Sequence, residues 1–382
     1  MIDTMIDAQG GVLQAIQGVL RDLLQKGIVD AWLVPMRLAA GAGSQGHSVV
    51  PMLVTDPAAL DQADPLAPVL PINAARAASQ LTLTGHDQTL GLVLRSCEIR
   101  AFVELVKFQQ ANLDQALIVG VDCLGTYPVT TYQTASDPAQ LAGELLAAAP
   151  SGELQPHDGL AFRTACQMCE QPLPQGDHVA LTFGLVGVEP GQIYLRARPE
   201  LAEALELAPA PLPARRQAAS ASLVAARTEA RDAAFAQFRD RVRGNGAMDG
   251  LLAEFATCIR CHNCMTNCPI CYCRECIFRT PTFEHESQLF YQWAERKGAV
   301  RMLPDTLLFH LTRLNHMVTS CVGCGLCTDV CPVDIPVGTV FRSVAQEVQA
   351  LFEYHPGRSL DEAAPVQEFR EDELTLLGQR PR

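Results

Sequence analysis

Between residues 12 and 24 the apolar side chains fall at Val12, Leu13, Ile16, Val19, Leu20, Leu23 and Leu24, a spacing that puts them on one face of a helix. Gly27 supplies the stop, because glycine enters the left-handed conformation that ends helices without steric cost. Short apolar runs rich in Val, Ile and Leu follow at 28–34, 49–54, 90–94 and 117–121, as strands would. Residues 99–110, between the last two, read as a crossover helix. Strand, helix and strand in that order predict an α/β domain, a parallel or mixed sheet covered by helices, reaching about residue 207.

The pattern stops at 208–222, APAPLPARRQAASAS, where proline, alanine and serine without apolar periodicity predict a linker. Residues 223–242 are polar, alanine-rich and helical in character, and they lead into a cysteine-dense segment in which 307–317 again reads as helix. The expected layout is therefore an α/β domain over 1–207, the linker, a mainly α-helical ferredoxin-like domain over 223–355, and a peripheral tail over 356–382. No repeat of 20–50 residues stands out beyond a duplicated cysteine run.

Composition narrows the function. The 382 residues, 48% apolar and 19% charged, suffice for two or three domains with hydrophobic cores. A net charge of −13 and a pI near 5.1 repel phosphate backbones, which argues against a nucleic-acid partner. The N-terminus, MIDTMIDAQGG, lacks a basic segment followed by an apolar one, and no window of about 18 apolar residues follows, so we expect a cytoplasmic chain without a membrane span. Fifteen cysteines in a reducing compartment point to metal or redox use rather than disulfides.

Their spacing carries the chemistry. Cys258, Cys261, Cys264 and Cys268, followed by Pro269, spell CxxCxxCxxxCP, and Cys321, Cys324, Cys327 and Cys331, followed by Pro332, spell it again. In such runs three thiolates grip one iron–sulfur cube while the fourth is carried away to ligate the other. The expectation is two 4Fe-4S clusters, one on Cys258, Cys261, Cys264 and Cys331, the other on Cys321, Cys324, Cys327 and Cys268. Zinc fits less well, since it takes four ligands in two separated pairs.

Four further cysteines lie upstream: Cys97 and Cys123 just after strand-like runs, and Cys166 and Cys169 as a CxxC pair. Cysteines at the C-terminal ends of adjacent parallel strands converge where α/β domains place ligands, which would suit a third cluster. The competing reading makes Cys97 and Cys123 small buried hydrophobes and the CxxC a redox pair. Cys271, Cys273 and Cys276 lack the fourth thiolate that a cubane or zinc site normally takes. The GAGSQG stretch at 41–46 matches a dinucleotide fingerprint but precedes a strand-like run, so it reads as a turn. Gly10 and Gly11, just before the first helix, suit a phosphate better. His310 and His316 read as core or surface residues rather than ligands.

The chain resembles the flavin and iron–sulfur beta subunits of formate dehydrogenases and of deazaflavin-reducing hydrogenases. The stretches that carry the likeness are GGVLQAIQGVLRDLLQKGIVDAWLV from Gly10, LRSCEIRAFVEL from Leu94, LIVGVDCLGTYP from Leu117, ACQMC from Ala165 and CPICYCREC from Cys268. The resemblance implies that Cys97, Cys123, Cys166 and Cys169 ligate a third 4Fe-4S cluster, and that Gly10, Gly11, Asn73 and Arg95 bind FAD. From Cys321 onward the chain is similar to the small iron–sulfur subunit of heterodisulfide reductase. Two departures stand out: Gln9 replaces the acidic residue often found beside the glycine pair, and the lysine and tyrosine of the hydrogenase members' second loop are absent.

These features predict the electron-transfer subunit of a multisubunit oxidoreductase, formate dehydrogenase- or hydrogenase-like. It would pass electrons between FAD, 4Fe-4S clusters, and a catalytic dehydrogenase or hydrogenase subunit or a soluble electron carrier. The alternative is a flavin-free iron–sulfur adaptor conducting electrons between a dehydrogenase and a heterodisulfide-reductase-like or quinone-reducing partner.

Overall fold

The computed structural model describes residues 1–38, 47–84, 87–284, 286–299, 304–369 and 371, so the GAGSQG stretch lies outside the described residues. Seven strands form one sheet: β1 (Ile2–Asp7), β2 (Ala31–Leu38), β3 (Ser48–Val54), β4 (Leu90–Arg95), β5 (Ala116–Val121), β6 (Val179–Gly184) and β7 (Gln192–Ala197). Their order is β1-β7-β6-β5-β4-β2-β3. Strands β2, β4, β5 and β6 run parallel, while β3 at one edge and β7 and β1 at the other add antiparallel pairs. The expected α/β domain is thus built on a mixed sheet.

Because strand side chains alternate between faces, each central strand feeds two cores. Trp32, Val34 and Met36 of β2 and Val93 of β4 join Ile16, Leu20 and Leu23 of the Val12–Gln25 helix. Ala31 and Leu33 of β2 and Leu90, Leu92 and Leu94 of β4 enter the second core with Phe102 of the Ser96–Lys107 helix. That second core also receives Phe255, Ile270, Val337 and Phe341, so the helical C-terminal region packs on this face of the sheet. Its main helices are Ala247–Phe255, Ser287–Lys297, Pro304–Met317 and Val337–Leu351.

Several expectations shift. The run at 28–34 becomes strand only from Ala31, because Gly27 in the left-handed region closes the first helix and the Ile28 amide still bonds the Leu23 carbonyl, 3.0 Å away. Strands β1, β6 and β7 are seen only in the structure. The stretch 208–222, expected as linker, is helical from residue 216, where the Arg216–Gly244 helix starts. Its alanines favour helix, and Ala219 and Leu223 are buried in the first core. The tail is not peripheral where it begins. Tyr354 is buried and donates to the Glu104 carboxylate at 2.6 Å, and the Gly357 amide donates to the same oxygen at 2.8 Å. No helix among the described residues is long and apolar enough to cross a membrane.

Candidate metal centres

The two cysteine runs have the same local design. Each begins in an irregular loop and turns into one short helix, Asn263–Thr266 in the first and Leu326–Asp329 in the second. Arg260 and His262 in one loop, and Gly323 and Gly325 in the other, sit in the left-handed region that coils the chain around its own thiols. Backbone amides turn inward: Arg260 N lies 3.4 Å from Cys258 Sγ, and Ile335 N lies 3.4 Å from Cys331 Sγ.

The thiols group across the runs. Cys258 and Cys264 interact electrostatically with Cys261 and with Cys331 of the second run. Cys268 leaves its own run to interact with Cys324 and Cys321, and Cys327 interacts with Cys324, Cys268 and Cys321. Burial pushes the Cys268 thiol up to about 12 and the Cys324 thiol up to about 11. Left alone, these thiols would stay protonated. Only a bound cationic centre would make such buried groups thiolates.

An arginine and a neutral imidazole are already in place around them, burial holding the His310 ring well below its ordinary range. Arg313, on the Pro304–Met317 helix, is 4% exposed; its Nη1 is 3.1 Å from Cys264 Sγ and its Nη2 donates to the Cys264 carbonyl at 3.0 Å. One turn earlier, His310 is buried with Nε2 3.3 Å from Cys258 Sγ, and its ring stacks on Phe255 at 4.0 Å. Arg313 Nε, His310 Nδ1 and Arg342 Nη1 are buried and have no hydrogen-bond partner among the described residues. Buried guanidinium donors beside thiols, with hydrogen bonds still to give, suit the sulfur-rich surface of an iron–sulfur cube. The residues present therefore fit that group. Among the described residues no three Cys, His, Asp or Glu side chains converge as a single metal ion would require.

The upstream cysteines also meet. Register pairs Arg95 at the end of β4 with Val121 at the end of β5, so Cys97 and Cys123 stand two residues beyond paired positions on the same sheet edge. The loop carrying Cys166 and Cys169 folds back there: Cys166 Sγ is 3.0 Å from Thr126 Oγ1, and the Cys123 amide donates to the Pro172 carbonyl at 3.0 Å. One cavity is lined by Cys97, Cys123, Cys166 and Cys169, by Arg95, Arg163 and Arg227, and by Gly323 and Cys324 of the second run. Burial pushes the Cys97 and Cys123 thiols up. Arg163 joins the two regions: it pairs with Asp329 and donates to the Cys324 carbonyl at 2.7 Å. Gly325 is in contact with this loop, since a Cβ there would meet the Ala165 Cβ at 2.2 Å.

The residues expected to hold flavin lie along the same edge of the sheet. Gly11 takes φ +119 before the first helix, and the space beside Gly10 is open. Asn73 is buried, with Oδ1 accepting from the Ala75 amide at 3.0 Å and Nδ2 without a partner among the described residues. Arg95 donates to the Val69 carbonyl at 2.6 Å and to the Ala67 carbonyl, so its guanidinium is engaged in holding that segment. The sequence reading missed Arg313, Arg163 and Arg342, and it read His310 as a core or surface residue, buried as the structure has it but without its contact to Cys258. The only local sign was the spacing of His310 and Arg313, three apart on one helix.

Residues 254–335, which hold both runs, match the 4Fe-4S dicluster domain family. The helical C-terminal region is accordingly of the iron–sulfur electron-transfer type. Along its length the chain is similar to the F420-dependent formate dehydrogenase subunit beta of Methanocaldococcus jannaschii, 25% identical over 90% of this chain and 91% of the relative. It is also similar to the F420-dependent formate dehydrogenase 1 subunit beta of Methanococcus maripaludis, 27% identical over 95% of each. The resemblance expected from the motifs therefore holds across both regions, and the chain is an electron-transfer subunit of oxidoreductase type.

Proposed function

We propose that this chain conducts electrons for a formate dehydrogenase- or hydrogenase-like catalytic partner subunit, through three 4Fe-4S clusters and FAD, to a soluble carrier of the deazaflavin kind. The observation that carries the reading is the way the thiols group. In it Cys331 completes the set of Cys258, Cys261 and Cys264, Cys268 completes that of Cys321, Cys324 and Cys327, and the upstream four share a wall with Cys324. Three such sets in a row, upstream, second and first, make a path from the sheet edge to the outer loop of the helical region.

When bound, FAD would exchange electron pairs with the carrier and the clusters would take electrons singly. The chain's own residues supply placement and electrostatics. Arg313 and the amides of Arg260 and Ile335 donate toward sulfur, which favours the more negative, reduced form of whatever the thiolates hold. Arg163 keeps the upstream cavity against the second run by binding Asp329 and Cys324 at once. The relatives' names supply the partner and carrier, and the alignment over nine-tenths of the chain supports carrying them over.

A second reading, the flavin-free adaptor, gains support from Arg95, whose guanidinium is taken up by two backbone carbonyls. One experiment separates the readings. Protein purified without oxygen should contain at least 12 iron atoms per chain, roughly four per cluster, and should release FAD on denaturation. Iron without FAD leaves the adaptor; colourless, iron-free protein overturns both.

A further inference from the structure

Three thiols remain outside these sets. Cys271, Cys273 and Cys276 follow the first run closely and line one basin of about 300 Å³ with three arginines, Arg76, Arg274 and Arg279, and one carboxylate, Glu275. Cys271 and Cys276 are half-buried and Cys273 is exposed. Cys271 interacts electrostatically with both of the others and with Cys268 of the second set. The basin has a built rim: Arg279 and Arg76 both bond Thr266, and Met265 Sδ is 3.6 Å from Cys276 Sγ.

We propose that these three thiolates hold a further iron–sulfur cube whose fourth iron faces solvent. A single tetrahedral ion does not fit, because zinc–sulfur bonds of about 2.3 Å would bring the sulfurs within roughly 3.8 Å of one another, and no three ligating side chains converge in that way among the described residues. A cube spreads its thiolates over three corners and tolerates a wider, shallower set. An ordinary anion would suit the three arginines but leaves three thiols in its pocket unexplained. A cube held by three thiolates carries net negative charge, and the arginines offset it.

The position suggests its role. The basin opens to solvent beside the loop of the first run, and Arg313 interacts with Cys271 as well as with Cys264, Cys268 and Cys327. A cube there would stand at the end of the proposed electron path, where the chain meets a redox partner. This inference rests on the iron–sulfur reading of the neighbouring sets, and the test keeps the two apart.

Full-length protein purified without oxygen should then hold roughly 16 iron atoms, four more than three clusters require. The triple variant C271S/C273S/C276S should lose about four iron and four sulfide while the other clusters keep their spectra. Equal iron in the variant and the wild type overturns the inference. Should the triple variant fail to fold, Cys273→Ser, at an exposed position, replaces it. Ferricyanide should then remove the solvent-facing iron of wild type and leave a three-iron paramagnetic signal that C273S lacks; wild type without that signal overturns the inference as well. Iron-free wild type would instead overturn the proposed function.

Discussion

Replacing Arg313 with glutamine removes a buried positive charge from between two thiol sets. Its Nη1 is 3.1 Å from Cys264 Sγ, and Cys268 and Cys327 also feel its charge. Reduction adds one electron to a cluster, so a neighbouring cation favours the reduced form and raises the potential. For charges about 6 Å apart at an effective dielectric of about 20, the interaction is about 2.8 kcal/mol. For a one-electron couple, in which about 1.4 kcal/mol corresponds to 59 mV, this is about 120 mV. Arg313 is 4% exposed, so bulk water screens little of it. Arg313→Gln should therefore lower the potential of the cluster proposed on Cys258, Cys261, Cys264 and Cys331 by about 100 mV, and that of its proposed neighbour by less. Arg313→Lys keeps the charge and should shift both by a small fraction of that. Anaerobic redox titration followed by paramagnetic resonance reads both. Equal shifts in the two variants, or a rise in the glutamine variant, would refute the electrostatic argument.

Other outcomes follow from the same geometry. Cys268→Ser should disturb the cluster on Cys321, Cys324 and Cys327 more than the one on its own run, read by the cluster spectra; the reverse would discard the crossed assignment. Gly325→Ala adds a Cβ 2.2 Å from the Ala165 Cβ at φ +75, and should cost about 2–4 kcal/mol from backbone strain and overpacking together. Gly159→Ala, at φ +76 with nothing within 4 Å, should cost only the strain, about 1 kcal/mol, and equal denaturation midpoints for the two would count against the contact. Burial holds His178 below its ordinary range, with Arg198 and Lys107 adding to the effect and Asp177 opposing it. The unfolded chain then takes up a proton, near pH 6.5, that the folded chain still refuses. Stability should fall on acidification below that value by at most about 1.4 kcal/mol per pH unit for this one group. His178→Gln should flatten that slope in denaturant titrations.

Much of the candidate site was legible because its signal is local. Ligand spacing in the CxxCxxCxxxCP runs is a property of consecutive residues, and so is the apolar face of the Val12–Gln25 helix. The strands that were anticipated, β2 to β5, carry dense Val, Ile and Leu runs, whereas β1 is IDTMID and β7 is QIYLRA, half polar because each meets water on one side. The residues that shape the site electrostatically were hidden for a different reason. Arg163 reaches Asp329 and Cys324, and Arg342 reaches Glu170, each across more than 150 residues, so nothing near them in the sequence signals the contact. The docking of Tyr354 on Glu104 was hidden in the same way.

A chain with net charge −13 nonetheless buries Arg95, Arg163, Arg227, Arg313 and Arg342, and all five line or approach a thiol set. Arg227 and Arg313 make no ion pair with a carboxylate among the described residues; they donate to backbone carbonyls or to sulfur, whereas Arg95 has the carboxylates of Glu98 and Asp64 nearby. Burying a guanidinium without a counter-ion is costly, and protonated thiols do not offset that cost. Thiolates on a cluster do. Folding and cluster binding should therefore be linked, with the metal-free chain losing several kcal/mol of stability and the loss concentrated in residues 254–335 and around the Cys97 cavity. Stripping iron with a chelator and oxidant without unfolding the chain, then comparing anaerobic hydrogen exchange before and after, tests this. Unchanged protection around Arg313 and Arg163 would mean that these arginines are stabilised by something other than the thiols beside them.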